Sequence, residues 1–178
     1  VIGMKQIILA AIIAIGLTTI ASTDAEARPG GYSSSKTLGG GIMLGAPTGL
    51  SGKYFLSPST AIDVGLGAYR YYRGRRGFQL HADFLFHPVN LVRAEAFDLP
   101  LYFGIGGRIL DFDLDNDDRD DHGLALGVRV PVGIAFDFRN IPLDVFIELA
   151  VVIDFFFDYY DDYGGDVNGA VGVRYWFN

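Results

Sequence analysis

Eight stretches of this chain alternate apolar and polar residues with period two, and one parity of every stretch is free of charged residues. The last stretch shows the pattern most plainly. Val167, Gly169, Val171, Val173, Tyr175 and Phe177 fall on one parity, and Asn168, Ala170, Gly172, Arg174 and Trp176 on the other. Successive side chains of a strand point to opposite faces, so each stretch reads as a strand with one dry face. Strands are expected near 37–45, 50–57, 61–71, 78–87, 99–111, 123–138, 143–157 and 166–177. The breaks carry turn chemistry, as in Ala46-Pro47-Thr48-Gly49, Ser57-Pro58-Ser59-Thr60 and Arg139-Asn140-Ile141-Pro142.

The dry parity includes Leu124, Leu126, Val128, Val130, Val132, Ile134, Phe136 and Phe138 in one strand alone. The other parity holds Lys53, Asp63, His81, Asp83, Arg108, Arg129, Asp137, Asp144, Glu148, Asp154 and Arg174. In a water-soluble barrel the dry face would be the core. So many large side chains overfill the interior of a small closed barrel. Pointed at lipid they fit without constraint, and a spanning sheet must close on itself to satisfy its backbone. The fold class expected is therefore all-β: an eight-stranded antiparallel up-and-down transmembrane barrel. Aromatics near the strand ends, among them Phe55, Phe86, Phe138, Phe155, Tyr175 and Phe177, are read as interfacial girdles.

The N-terminus reads as a targeting segment. Lys5 precedes an apolar run from Ile7 to Leu17, and Ala25-Glu26-Ala27 follows as an A-x-A cleavage pattern. Residues 1–27 are expected to be a signal peptide with its start at Met4, 28–36 a flexible lead-in, and 37–178 the barrel. The run is too short for a spanning helix. Export through the Sec pathway to the bacterial outer membrane follows from this reading.

The chain has 178 residues, a net charge of −7 and no cysteine. Loss of Lys5, Asp24 and Glu26 with the signal peptide leaves −6. A nucleic-acid partner is not expected from that balance. The absence of thiols removes disulfides, thiolate metal sites and a cysteine nucleophile.

Several segments resemble those of small OmpX/OmpA-like eight-stranded outer-membrane barrels of an uncharacterised bacterial family. They are Gly45–Tyr54, Leu80-His81-Ala82-Asp83-Phe84, Leu99–Arg108, Gly127-Val128-Arg129-Val130-Pro131 and Pro142–Leu149. The C-terminal alternation through Val173, Tyr175 and Phe177 resembles the outer-membrane sorting signal, with Asn178 beyond it. This resemblance implies outer-membrane lipid and the barrel-assembly machinery as partners. It is nearly silent on activity, and no enzymatic activity is expected.

The candidate site is the lumen, where Lys53, Asp63, Asp83, Arg108, Arg129, Glu148 and Arg174 are expected to form a charge network. Arg108, Arg129 and Glu148 are placed at its centre. Such a network is either a polar plug or the filter of a narrow gated pore, and the plug is preferred because an eight-stranded lumen is normally filled.

A lipid-modifying enzyme would need a histidine beside a serine and an acid; His81, His87, Ser51 and Ser57 are the available residues. Two histidines six residues apart on a strand stand about 20 Å apart and cannot share a metal. No cofactor and no metal are expected. The acidic run Asp111–Asp121 lacks the Gly and Glu positions of an EF-hand and reads as a solvated loop.

Arg73, Arg75 and Arg76 on one loop and Asp115, Asp117 and Asp118 on another are the expected surface-interaction residues, facing a host or extracellular ligand. The 88–98 connection is expected to be a long turn with helical character at Leu91–Phe97. The chain is expected to act as a monomer.

Overall fold

Eight antiparallel strands close into one barrel in sequence order. They are β1 (Leu38–Gly45), β2 (Thr48–Ser57), β3 (Thr60–Arg70), β4 (Arg76–Arg93), β5 (Phe97–Leu114), β6 (Asp121–Phe138), β7 (Leu143–Phe156) and β8 (Tyr163–Trp176). The structure is a computed structural model that describes residues 31, 34–70, 76–114, 121–156 and 163–177. The signal peptide expected at 1–27 lies outside the described residues. So do Arg73, Arg75, Asp115, Asp117 and Asp118, and the side chain of Arg76.

Every strand pairs with its sequence neighbour, and β1 closes the cylinder against β8 through Leu44↔Val171, Ile42↔Val173 and Gly40↔Tyr175. The alternation decides which face turns inward. Leu126, Ile147 and Val171 on the wall are 41%, 48% and 43% exposed, whereas Arg129 and Glu148 are 1% and 6% exposed. A one-residue slip in any strand would exchange these two sets.

Gly45 takes φ of +131°, a region glycine enters without steric cost, and it opens the Ala46-Pro47 turn into β2. Pro47 is fully buried beneath that turn.

The 88–98 connection departs from the expected long turn. β4 continues through Pro88 to Arg93, β5 begins at Phe97, and residues 94–96 alone connect them. No helical turn forms there. Register shifts at Phe86/Val89 and Asn90/Arg93 break the alternation, which is why a period-two reading stops at His87. The extended hairpin is tied down by polar contacts. Asn90 donates to Asp98 at 2.7 Å and accepts from the Leu99 amide at 2.9 Å. Arg139, from the turn before β7, grips Asp98 with two bonds of 3.0 and 2.6 Å.

Phe55 also departs from expectation. It is not in a girdle: it points into the lumen and packs on Trp176 and Ala61. Tyr54, Phe86, Phe155, Tyr175 and Phe177 do lie on the outer wall.

Interior glycines make room for the large side chains that fill the barrel. A Cβ at Gly133 would run into the Tyr102 ring and approach the Ile147 carbonyl oxygen to 2.6 Å. A Cβ at Gly165, on the outside, would meet nothing within 4 Å. Gly133→Ala is expected to lower stability by about 1–3 kcal/mol, the usual cost of overpacking. Gly165→Ala is expected to be nearly neutral in the same urea unfolding experiment. Equal effects at the two positions would contradict this packing.

Candidate functional site

The barrel interior is built as tiers, each centred on one arginine between carboxylates. Nearest the long-loop end, Arg108 on β5 grips Asp154 of β7 with Nε at 2.8 Å and with Nη2. Its Nη2 also reaches Asp166 of β8 at 3.0 Å. Its Nη1 donates to Asn168 at 2.9 Å and to Gln79 at 3.2 Å. Tyr69 on β3 donates its hydroxyl to Asp166 and lies 5.1 Å from the guanidinium. β3 thereby meets β8 over the low β1–β2 turn.

The middle tier belongs to Arg129 on β6. Its Nε donates to Asp83 of β4 at 3.1 Å, and its Nη2 to Glu148 of β7 at 3.0 Å. Its Nη1 donates to Asn168 at 3.0 Å. One amide oxygen thus accepts from both arginines and couples the two tiers. Tyr102 donates to the other oxygen of Glu148 at 3.2 Å. His81 stands beside Asp83, with Nε2 at 3.9 Å from Oδ2, and its Nδ1 lies 3.2 Å from the Gln79 amide nitrogen.

The third tier is Arg174 on β8. It bonds Asp144 of β7 at 3.1 Å, bonds Asp63 of β3, and lies 4.1 Å above the Phe146 ring. Lys53 is handled differently. Its Nζ donates to His87 Nε2 at 2.8 Å and stands 4.4 Å from the Tyr102 ring centroid and 5.4 Å from that of Phe55. Near the strand ends Lys36 pairs with Asp137 and donates to the Phe138 carbonyl at 3.1 Å.

Apolar layers separate and cover these tiers. Met43, Leu85, Tyr102, Ala135 and Phe146 form one cluster. Leu85 stands between Asp83 and His87 along β4, and Phe146 between Asp144 and Glu148 along β7. The cluster therefore divides the Arg129 tier from the Arg174 tier. Tyr69, Leu110 and Ala125 cover the Arg108 tier, and Phe55, Ala61 and Trp176 cover the Lys53 end.

All seven charged residues singled out in the sequence lie buried in this interior. Arg129 and Glu148 meet directly. Arg108 does not join them: it belongs to the neighbouring tier and reaches Arg129 through Asn168. The uncharged members Asn168, Gln79, Tyr102 and Tyr69 were missed, because only charge was used as the signal. Their inward parity, shared with the charged residues, was the cue available.

His81 and His87 are held by groups other than the hydroxyls of Ser51 and Ser57. Ser57 Oγ engages Thr60 at 2.7 Å, and Ser51 Oγ is buried without a hydrogen-bond partner. His87 turns Nε2 to Lys53 and Nδ1 to the Ser59 carbonyl at 3.3 Å. Val173, Tyr175 and Phe177 line up on the outer face of β8 and beyond it, as their parity requires.

This architecture defines a small closed up-and-down β-barrel with an ion-paired interior. A solved structure of the same design is the N-terminal β-barrel domain of Pseudomonas aeruginosa OprF. The chain shares its fold with a TM-score of 0.57 at 16% identity, over 83% of this chain and 99% of that one. No protein-family model and no curated protein matches the sequence.

Removing Arg129 would leave Asp83 and Glu148 enclosed without their shared cation. Arg129→Gln is expected to cost about 3–5 kcal/mol in urea unfolding. Adding Asp83→Asn and Glu148→Gln in the same chain is expected to recover most of that loss. A single-variant cost near zero would show that the tier is not what compensates these charges.

Proposed function

We propose that the chain is an integral outer-membrane β-barrel, a monomeric anchor whose long loops form the working surface. One observation carries the reading: all eight strands turn large apolar side chains outward and keep their ion pairs inside. A wall of that kind in water would expose a continuous apolar surface far beyond what soluble monomers tolerate. In hydrocarbon it is the expected partner of lipid tails, and closure leaves no strand edge unpaired. The fold likeness to the OprF β-barrel domain is compatible with this reading.

β3, β5 and β7 finish at the same end of the cylinder as the Ala46-Pro47 turn, and β4, β6 and β8 begin there. The opposite end carries the start of β1, the finish of β8 and the turns at 58–59, 94–96 and 139–142. Short turns belong on the periplasmic side of such barrels and long loops outside. On this reading the Arg-rich and Asp-rich loops face the exterior, where an extracellular ligand would meet them. The residues 34–37 lie at the periplasmic mouth, with the Ser34 amide donating to the Pro58 carbonyl at 2.8 Å.

The interior favours a plug over a pore. Three apolar layers interleave with ion-paired arginines, and an ion passing through would have to break both. A non-catalytic role is consistent with the positions of Ser51 and Ser57.

Trp176 tests the placement because it is the single tryptophan and points inward, 3% exposed. With the chain folded into vesicles, brominated acyl chains are expected to leave its fluorescence nearly unquenched. A tryptophan moved to the wall, Val171→Trp with Trp176→Phe, is expected to be strongly quenched. The folded chain is also expected to shift its migration on unheated SDS gels and to show no unitary conductance in planar bilayers. An unquenched wall tryptophan would sink the membrane placement, and regular ion-selective openings would sink the plug.

A further inference from the structure

The Arg129 tier is short of positive charge. One guanidinium serves two carboxylates, Asp83 and Glu148, while Asn168 and Tyr102 bring none. The shortage extends to the lumen as a whole. In the three tiers the cations are Lys53, Arg108, Arg129 and Arg174, and the carboxylates are Asp63, Asp83, Asp144, Glu148, Asp154 and Asp166. Two negative charges are therefore left over if the histidines are neutral. Enclosed charge of that kind is costly unless something compensates it.

A nitrogen donor faces the same spot. His81 is 2% exposed, and its Nε2 is buried with no hydrogen-bond partner. Its ring fits because the facing residue on β3 is Gly65, where a Cβ would collide with the imidazole. One ligand atom from each of His81, Asp83 and Glu148 lies within 4.8 Å of the others. Two of these residues come from β4 and the third from β7 across the lumen, so the spacing is held by the barrel wall.

We propose that His81, Asp83 and Glu148 hold one divalent transition-metal ion inside the barrel. The donor set selects the class: one imidazole nitrogen with two carboxylate oxygens suits Zn²⁺, Co²⁺ or Ni²⁺, whereas Mg²⁺ and Ca²⁺ prefer oxygen alone. His81 Nε2 and Asp83 Oδ2 stand 3.9 Å apart and all three ligand atoms lie within 4.8 Å of one another; ligand bonds of about 2.1 Å at tetrahedral angles set donors roughly 3.4 Å apart, so binding draws the side chains together by up to about 1.4 Å. The ion's two charges match the lumen's deficit. Each carboxylate has a second oxygen or lone pair with which to keep Arg129.

Binding displaces a proton. The Gln79 amide turns its oxygen to Arg108 and its nitrogen to His81 Nδ1, which leaves the neutral ring's proton on Nε2. The metal takes that position, the proton moves to Nδ1, and the Gln79 amide rotates to accept it, giving up its bond from Arg108 Nη1, which keeps Asn168 as acceptor. Gln79→Glu supplies an acceptor that serves His81 and Arg108 together, and is expected to tighten binding about tenfold. The apolar layers close both approaches, so loading belongs to folding rather than to the finished barrel.

The test is to fold the urea-dissolved chain into micelles with Co²⁺ or Zn²⁺ present, then remove loose metal with chelator and gel filtration. Elemental analysis is expected to find one ion per chain, with the visible bands of nitrogen- and oxygen-bound cobalt in the Co²⁺ sample. Ca²⁺ and Mg²⁺ are expected to leave no stoichiometric residue. His81→Gln, close in size and still able to hydrogen-bond, is expected to lose the ion yet keep its heat-modifiable migration. Failure of the folded wild-type chain to retain Co²⁺ or Zn²⁺, or equal retention by folded His81→Gln, overturns the proposal. This readout does not depend on the membrane placement, which the tryptophan experiment judges separately.

Discussion

An arginine shut inside a protein must be paired, and this barrel pairs three of them across its own lumen. Arg108, Arg129 and Arg174 each reach carboxylates on strands that are not their backbone neighbours alone: β5 to β7 and β8, β6 to β4 and β7, β8 to β3 and β7. Backbone hydrogen bonds run around the cylinder. The ion pairs run through it. The pairs need not add net stability, since dehydrating both partners can cancel their attraction. Their stronger effect is on register. A strand that slips by one residue brings leucines inward and sends an arginine out, and its tier loses the cation that two carboxylates share. The wall and the tiers therefore specify one another.

Period-two alternation made most of this fold legible, because closure gives every strand one inside and one outside. Arg129 and Val128 are adjacent in sequence and opposite in environment, and the pattern alone says so. Partner choice was not legible. Which carboxylate an arginine meets across a lumen depends on the tilt and stagger of the closed sheet, which a linear pattern does not encode. Arg108 was grouped with Arg129 and Glu148, yet it meets Asp154 and Asp166, because β5 and β7 bring those residues to its height. The β4–β5 hairpin was cut short for a different reason. Pro88 looked like a turn, and the bulges beyond it shift parity, so Val89, Leu91 and Val92 are all exposed together. A proline at a bulge, with Val89 and Val92 beyond it, is compatible with a continuing strand.

The strands are of unequal length. β4, β5 and β6 each run 18 residues, whereas β1 runs 8. The short β1–β2 hairpin leaves a notch in the wall at the long-loop end. Tyr69 and Asp166 join hands across that notch, and Ala46 packs beneath against Tyr69, Leu110 and Ala125. β4, β5 and β6 rise on the far side. Fold likeness to the OprF domain extends to strand number and closure at 16% identity. It does not extend to residue roles, which depend on the tiers of this chain.

The apolar layers change what the tiers must do. A charged lumen open to water can leave a carboxylate unpaired at small cost, because solvent and mobile ions screen it. Here Tyr69, Leu110 and Ala125 cover one end and Phe55, Ala61 and Trp176 the other, while Leu85 and Phe146 separate the tiers. Each tier must settle its charge with the groups it encloses. The outer tiers have help: Asp166 retains 21% side-chain exposure, and Lys53 attracts Asp63 and Asp144, the carboxylates of Arg174. The Arg129 tier is the most enclosed, with Asp83 and Arg129 almost wholly buried and Glu148 nearly so, and Lys53 and Arg174 act on Glu148 only from the next tier. It is also the tier where a histidine nitrogen lies without a partner. Compensation is hardest there because that tier is the most enclosed of the three.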